Sequence, residues 1–288
     1  MERVKTLYKG LILGLLVILS PSMAFSQRYD ILGRSELLVH GGGMNYIGDL
    51  NNQSAFGDIH WAAGGGIRVK LDNRWSVRIE GNYGTISAKK DWIPERNLSF
   101  RSRITEGALL VEFNFRPYGA GATDYQWTPY IFGGIAAFHF NPQALYCNTH
   151  GDTLWVDLQP LCTEGQSTTA YPDRRPYPLT QINMPFGVGV KWRINKTFSI
   201  AAEYGFRRTW TDYLDDVSTT YVGAELLQKE IENGIVASQL ADRSSVPNAP
   251  GIKRGDDSLN DWYSHFNISI AINMETLFGW MKSKKCRN

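Results

Sequence analysis

Eight segments of about ten residues in this chain alternate apolar with polar or small residues. A period of two suits only an extended strand whose two faces meet different surroundings. In residues 262–275, Trp262, Phe266, Ile268, Ile270 and Ile272 share one face, opposite Tyr263, His265, Asn267, Ser269 and Asn273. Residues 197–208 set Phe198, Ile200, Ala202, Tyr204 and Phe206 against Ser199, Ala201, Glu203, Gly205 and Arg207. Residues 185–193 set Phe186, Val188, Val190 and Trp192 against Gly187, Gly189, Lys191 and Arg193. Residues 61–71, 75–83 and 105–115 behave alike, and 130–140 and 36–44 do so more faintly because Gly and Ala dilute both faces. No run after the N-terminus approaches the roughly 20 apolar residues of a spanning helix, which excludes a multi-helix membrane protein.

Alternation alone also fits a two-sheet sandwich. Three features favour a membrane barrel. Aromatic residues gather at segment ends (Trp61, Trp75, Tyr83, Phe113, Phe115, Tyr130, Phe138, Phe140, Trp192, Tyr204, Phe206, Trp262), as interfacial girdles require. The face opposite the apolar one carries Arg68, Lys70, Arg78, Glu80, Glu106, Glu112, Lys191, Arg193, Glu203 and Arg207, which suits a polar lumen and not an oily core. Connections also alternate in length. A long stretch at 46–60 precedes the tight Asp72-Asn73-Arg74, then come 85–100, a modest 116–126, 141–181, the tight Ile194-Asn195-Lys196 and 209–261. Short turns at every second position are the layout of an outer-membrane barrel with both termini in the periplasm. The expected fold is an all-β, eight-stranded antiparallel transmembrane barrel with long extracellular loops, the last carrying a short helix. Eight strands leave an interior just wide enough for side chains. The ten lumen charges should therefore pair with one another, and function should lie in loops, rim or periplasmic face.

The N-terminus reads as an export signal over residues 1–26. Arg3, Lys5 and Lys9 lead, residues 11–19 are apolar, and Ala24-Phe25-Ser26 offers a cleavage site. An uncleaved anchor helix is the alternative. The barrel should then occupy 27–276 and a basic periplasmic tail 277–288, with Lys282, Lys284, Lys285 and Arg287. The whole chain has 30 Lys+Arg against 28 Asp+Glu, and removing the signal leaves 27 of each. A neutral mature chain lacks the concentrated basic surface of a nucleic-acid binder. Cys147 and Cys162 lie close in a polar stretch of an exported protein, so a disulfide is expected there, against two free thiols. Cys286 is left over.

The last long loop contains Thr211-Asp212-Tyr213-Leu214-Asp215-Asp216-Val217-Ser218-Thr219-Thr220-Tyr221. Its carboxylates could hold Ca²⁺, but it lacks the glycine and ligand spacing of an EF-hand, which favours turn capping and loop packing. Residues 225–240, with Leu227, Ile231 and Ile235 at helical spacing, predict one short amphipathic helix over the rim or, more sharply, a partner-binding helix. His139, His150, Asp152, Ser167, Asp173 and His265 could supply catalytic groups, yet no nucleophile elbow or metal-protease motif orders them. No enzyme activity, cofactor or metal is expected.

The first strand with Gly41-Gly42-Gly43-Met44-Asn45-Tyr46-Ile47-Gly48-Asp49-Leu50, followed by the loop motif Asp212-Tyr213-Leu214-Asp215-Asp216-Val217-Ser218 through Tyr221, resembles the Bacteroidota family of outer-membrane barrels that includes PorG. PorG is a component of the type IX protein secretion (gliding-associated) machinery. The resemblance spans essentially the whole mature chain, apart from the cysteine-bearing 141–181 loop. It implies a non-enzymatic outer-membrane subunit, in contact with outer-membrane lipids and associated on its periplasmic side with a ring of periplasmic proteins. The alternative class is a stand-alone surface barrel for adhesion, ligand recognition or lipid modification.

Overall fold

The computed structural model describes residues 31–50, 58–90, 97–119, 125–148 and 150–278. The expected export signal and the tail residues Lys282, Lys284, Lys285, Cys286 and Arg287 lie outside the described residues. Among the described residues ten strands form: β1 Ser35–Ile47, β2 His60–Lys70, β3 Trp75–Lys90, β4 Leu98–Asn114, β5 Trp127–His139, β6 Pro142–Cys147, β7 Thr153–Asp157, β8 Thr180–Arg193, β9 Phe198–Thr209 and β10 Trp262–Asn273. Eight of them pair in the order β3-β2-β1-β10-β9-β8-β5-β4, and β3–β4 pairing closes the ring. Every pairing is antiparallel. Closure satisfies the strand N–H and C=O groups along the ring, which is what allows a sheet to stand in lipid.

The period-two pattern sets the faces as expected. Val39, Ile79, Ile135, Val188 and Ile268 point outward and are each more than half exposed, whereas their sequence neighbours are turned inward. Such a continuous apolar exterior has no place in water, so the molecule is an outer-membrane-type β-barrel. At the short-turn end Trp75 packs on Phe113 at 4.8 Å and Trp127 pairs with Trp192. Toward the long loops, Trp61 lies 5.7 Å from Tyr83 and Phe186 lies 6.0 Å from Trp262. Three of the expected girdle aromatics are corrected. Tyr130, Phe138 and Phe140 are buried inside, because they share the inward parity of their strand.

Four other expectations change. The 85–100 connection is mostly strand: the β3–β4 register runs from Trp75↔Phe113 on to Lys90↔Leu98, so this hairpin rises beyond the barrel. Inside the 141–181 loop, β6 and β7 form a further hairpin that joins the upper edge of β4 through Arg101↔Gln143 and Ser102↔Pro142. It extends the sheet without entering the closed ring. The single helix over 225–240 is two helices, α1 Ala224–Glu230 and α2 Gly234–Ala241, because Asn233 takes a left-handed conformation with φ 60° and reverses the chain. Gly234 permits the close crossing, since a Cβ there would stand 2.3 Å from the Leu227 carbonyl oxygen.

The expected Cys147–Cys162 disulfide is not formed and both thiols are free. Cys147 sits at the tip of the β6–β7 hairpin and Cys162 just beyond its base, about five residues of strand away, which is too far to bridge. The main apolar core lies at the long-loop end. There Met44, Phe100, Ile104 and Phe140 from the rims meet Leu161, Leu214, Val217, Leu227 and Leu240 from the loops. The long loops therefore form a packed cap.

Candidate functional site

Inward parity brings charged residues from six strands into one lumen network. Glu112, fully buried, receives Arg68 at 2.9 Å, Arg78 at 3.0 Å and the Lys191 ammonium. Glu203 accepts from Arg78 and the Tyr130 hydroxyl, and Glu80 stands 3.0 Å from the same guanidinium. Glu36 holds Arg68 at 3.1 Å and Lys70 at 2.5 Å. Higher up, Glu106 accepts from Asn82 (2.9 Å), Asn183 (3.0 Å) and the Tyr263 hydroxyl (2.6 Å), with Arg207 at 3.6 Å. Five cations thus face five carboxylates among the described residues. Ions removed from water are tolerable only when paired and hydrogen-bonded, and here each side chain serves several partners. The network fills the lumen.

Nine of the ten expected lumen residues belong to it. Arg193 does not; it stands at the short-turn mouth, where its backbone N–H bonds Gln126. Sequence reasoning missed Glu36, Asn82, Tyr130 and Asn183, and it set Tyr263 on the inward face without naming it as a partner of Glu106. It also missed His40, which lies 2.6 Å from the Asn82 side-chain oxygen, and the contact of His265 with Arg207 at 3.1 Å. Parity would have found Glu36 and His40, which alternate in step with Met44 and Tyr46.

The second constellation lies in the cap, where the two motifs of the Gly-rich strand and the last loop meet. The Tyr46 hydroxyl stands 2.7 Å from Asp215 Oδ2 and 2.6 Å from Asp261 Oδ1. One phenolic proton cannot serve two carboxylates, so one of the pair holds a proton of its own. Burial, with Asp49 nearby, pushes Asp215 up to about 7. Burial, then the negative Asp215, raises Asp261 well above its ordinary range. Gly48 makes the close approach possible, since a Cβ there would lie 1.9 Å from Asp261 Oδ1.

Beside this trio, Asp216 sits at φ 67° and accepts from Tyr177 at 2.7 Å and Thr163 at 2.5 Å. Burial raises it to about 6 despite Arg254. Glu164 accepts from Arg254 (3.0 Å), the Ser218 and Thr219 backbone N–H groups (2.9 Å each) and the Thr219 hydroxyl (2.6 Å). Tyr213 stacks on Tyr177 at 4.7 Å, and Asp49 accepts from the Asp256 N–H at 2.5 Å. Asp212 is buried in the same cluster and is pushed up to about 8 by burial, with the negative Asp215, Asp49 and Glu164 adding to it. Apart from Asp212, whose carboxylate oxygens accept no hydrogen bond among the described residues, these carboxylates tie loop backbone and side chains together. Among the described residues no group of three or more His, Cys, Asp or Glu is arranged to hold a metal ion.

Of the motif glycines, Gly42 and Gly43 are packed where a Cβ would meet the Phe266 carbonyl oxygen and Ile59, while a Cβ at Gly41 would make only ordinary contact with the Ala62 carbonyl oxygen. Asn45, Leu214, Val217, Ser218 and Tyr221 are all buried. The six weighed catalytic residues stay apart. His139 points outward from β5 beside Thr180, and His265 lies in the lumen. His150 and Asp152 occupy the β6–β7 turn; Ser167 and Asp173 lie in the loop that follows.

A family model described as "Domain of unknown function (DUF6089)" matches residues 11–155. No curated protein matches the sequence. Among solved structures the chain is similar to Neisserial surface protein A, at 7% identity over 83% of this chain and 96% of that one, with a TM-score of 0.38. It is similar to Ail, the attachment invasion locus protein of Yersinia pestis, solved with the heparin analogue sucrose octasulfate (8% identity, 83% and 95% covered, TM-score 0.35). It is also similar to the outer membrane protein OprG from Pseudomonas aeruginosa (10% identity, 85% and 100% covered, TM-score 0.35).

Proposed function

Since this chain belongs to the family described as a domain of unknown function (DUF6089), we propose that it is a non-enzymatic, PorG-like outer-membrane barrel subunit of the type IX protein secretion machinery. In this reading it anchors or assembles a ring of periplasmic proteins at the outer membrane. The short turns and both termini face the periplasm, and the cap faces outward. The observation that carries the reading is the filled lumen: five carboxylates and five cations pair across the bore, and a packed cap closes the long-loop end. A barrel closed in this way offers solutes no path, so its surfaces and rims are what remain to act. The resemblance of the strand 41–50 and loop 211–221 motifs adds the identity of the machine.

Affinity purification from detergent-extracted outer membranes should recover the periplasmic ring proteins, and deletion should block cargo export. Recovery of the barrel alone with export intact overturns the proposal. A second reading, a stand-alone surface barrel for adhesion, ligand recognition or lipid modification, is favoured by Leu145, Leu154 and Trp155, exposed on the β6–β7 hairpin. It requires that substitutions there abolish surface activity while export continues.

A further inference from the structure

The short-turn end of the barrel holds a cavity of about 610 Å³ at its mouth, lined by Arg34, Lys70, Arg74, Tyr118, Arg193 and Lys196 among others. Its volume is in the range of sites that bind peptide side chains or small ligands. Five cations stand around it against two described carboxylates, Glu36 and Asp72, and both of these are already engaged. Glu36 takes Arg68 and Lys70, the second of which also lines the cavity. Asp72 Oδ1 accepts from the Arg74 and Trp75 backbone N–H groups at 2.6 and 2.7 Å.

The cations are less committed. Arg74 donates only to the Phe115 carbonyl oxygen at 2.9 Å. Arg193 Nη1 has no acceptor, and Lys196 is exposed in its turn. Among the described residues none of these three has a carboxylate partner. The two turns that carry Arg74 and Lys196 are built alike. Asn195 Oδ1 caps Thr197 and Phe198, each at 2.8 Å, as Asp72 caps its own turn. Leu71 N–H bonds Trp75 O at 2.9 Å, and Ile194 N–H bonds Phe198 O at 3.0 Å. Short capped turns fix where the charges stand before any ligand arrives, which lowers the cost of ordering them on binding.

We propose that this mouth is a binding site for an acidic peptide segment of a partner protein, whose carboxylates are taken by Arg74, Arg193 and Lys196. Identification of the partner as a periplasmic ring protein rests on the function proposed above; the carboxylate chemistry does not. Guanidinium and ammonium groups that lack internal partners form charge-assisted hydrogen bonds with carboxylates. A cavity whose lining carries an excess of one sign of charge also raises the local concentration of the opposite one.

The test uses the full mature chain, folded in non-ionic detergent, and fluorescence anisotropy of a labelled hexaglutamate peptide. Hexaglutamate should bind and hexaglutamine should not. Affinity should fall about tenfold or more when NaCl rises from about 50 to about 500 mM, and again in the R74Q/R193Q/K196Q triple variant. Arg103→Gln, on the outer wall toward the long loops, should bind like the wild type, and heat-modifiable migration should show that each variant is folded. Absence of hexaglutamate binding, or equal binding by the folded triple variant, overturns the proposal. Displacement of the peptide by inorganic phosphate at equal concentration marks a simple-anion site and also overturns it. Ring proteins that co-purify equally with wild type and triple variant refute this docking point and leave the secretion reading standing. Hexaglutamate binding without co-purification refutes the secretion reading and leaves the site.

Discussion

Glu112 shows how much can rest on one side chain in a narrow bore. It is shared by Arg68, Arg78 and Lys191, so Glu112→Gln leaves three buried cations with one fewer counter-charge. Removing one partner of a buried ion pair costs about 3–5 kcal/mol. The urea midpoint of the barrel in lipid vesicles should fall accordingly, and an unchanged midpoint would show that the network is not stabilised in this way. In the cap the controlling groups are carboxyls raised by burial. A carboxyl whose folded value exceeds its unfolded value of about 4 binds its proton more tightly in the folded state, so its contribution is complete below about pH 4. That contribution is lost as pH rises through the folded value, about 7 for Asp215 and about 8 for Asp212. Exchange protection of the Leu214 and Val217 amides, corrected for intrinsic rates, should therefore decline between about pH 4 and about pH 8. Asp215→Asn should flatten that decline by removing one of the two competing charges.

At the scale of elements, the β6–β7 hairpin and the helix pair are additions to a barrel that closes without them. β5 pairs directly with β8, and among the described residues the hairpin's strand pairing with the ring is confined to Arg101↔Gln143 and Ser102↔Pro142, with Trp155 lying 3.5 Å from the Arg101 guanidinium. Replacing residues 142–157 by a short turn should leave heat-modifiable migration intact; its loss would show that the hairpin is needed for closure. Gly234→Val should act in the opposite direction within the cap. Its side chain would enter the Leu227–Gln228 backbone and force α1 and α2 apart, exposing the rim core to protease. Cleavage within residues 224–241 should rise while the strands stay protected.

For the whole molecule, the balance of lumen charges and the packed cap predict electrical silence. In planar bilayers the purified protein should insert without a steady conductance, and a stable open channel would refute the filled lumen. The outward apolar band and its aromatic ends match what lipid requires, so detergent extraction and heat-modifiable migration are expected together.

The sequence determined the number of barrel strands, their faces and most of the lumen charges, because side-chain parity along a strand is a local property that a period of two displays directly. It showed neither which charges pair, as Glu112 does with cations from three other strands, nor that Arg193 stands apart at the mouth. It did not reveal that the 85–100 connection is strand, since those residues alternate above the membrane where both faces meet protein and water. It set Tyr46 and Asp215 in two motifs 169 residues apart without saying that they touch. Only the closed barrel decided these matters, because closing the ring brings the rim of β1 against the start of β10 and the loop before it. That juxtaposition depends on long-range registry, of which no local window carries a trace.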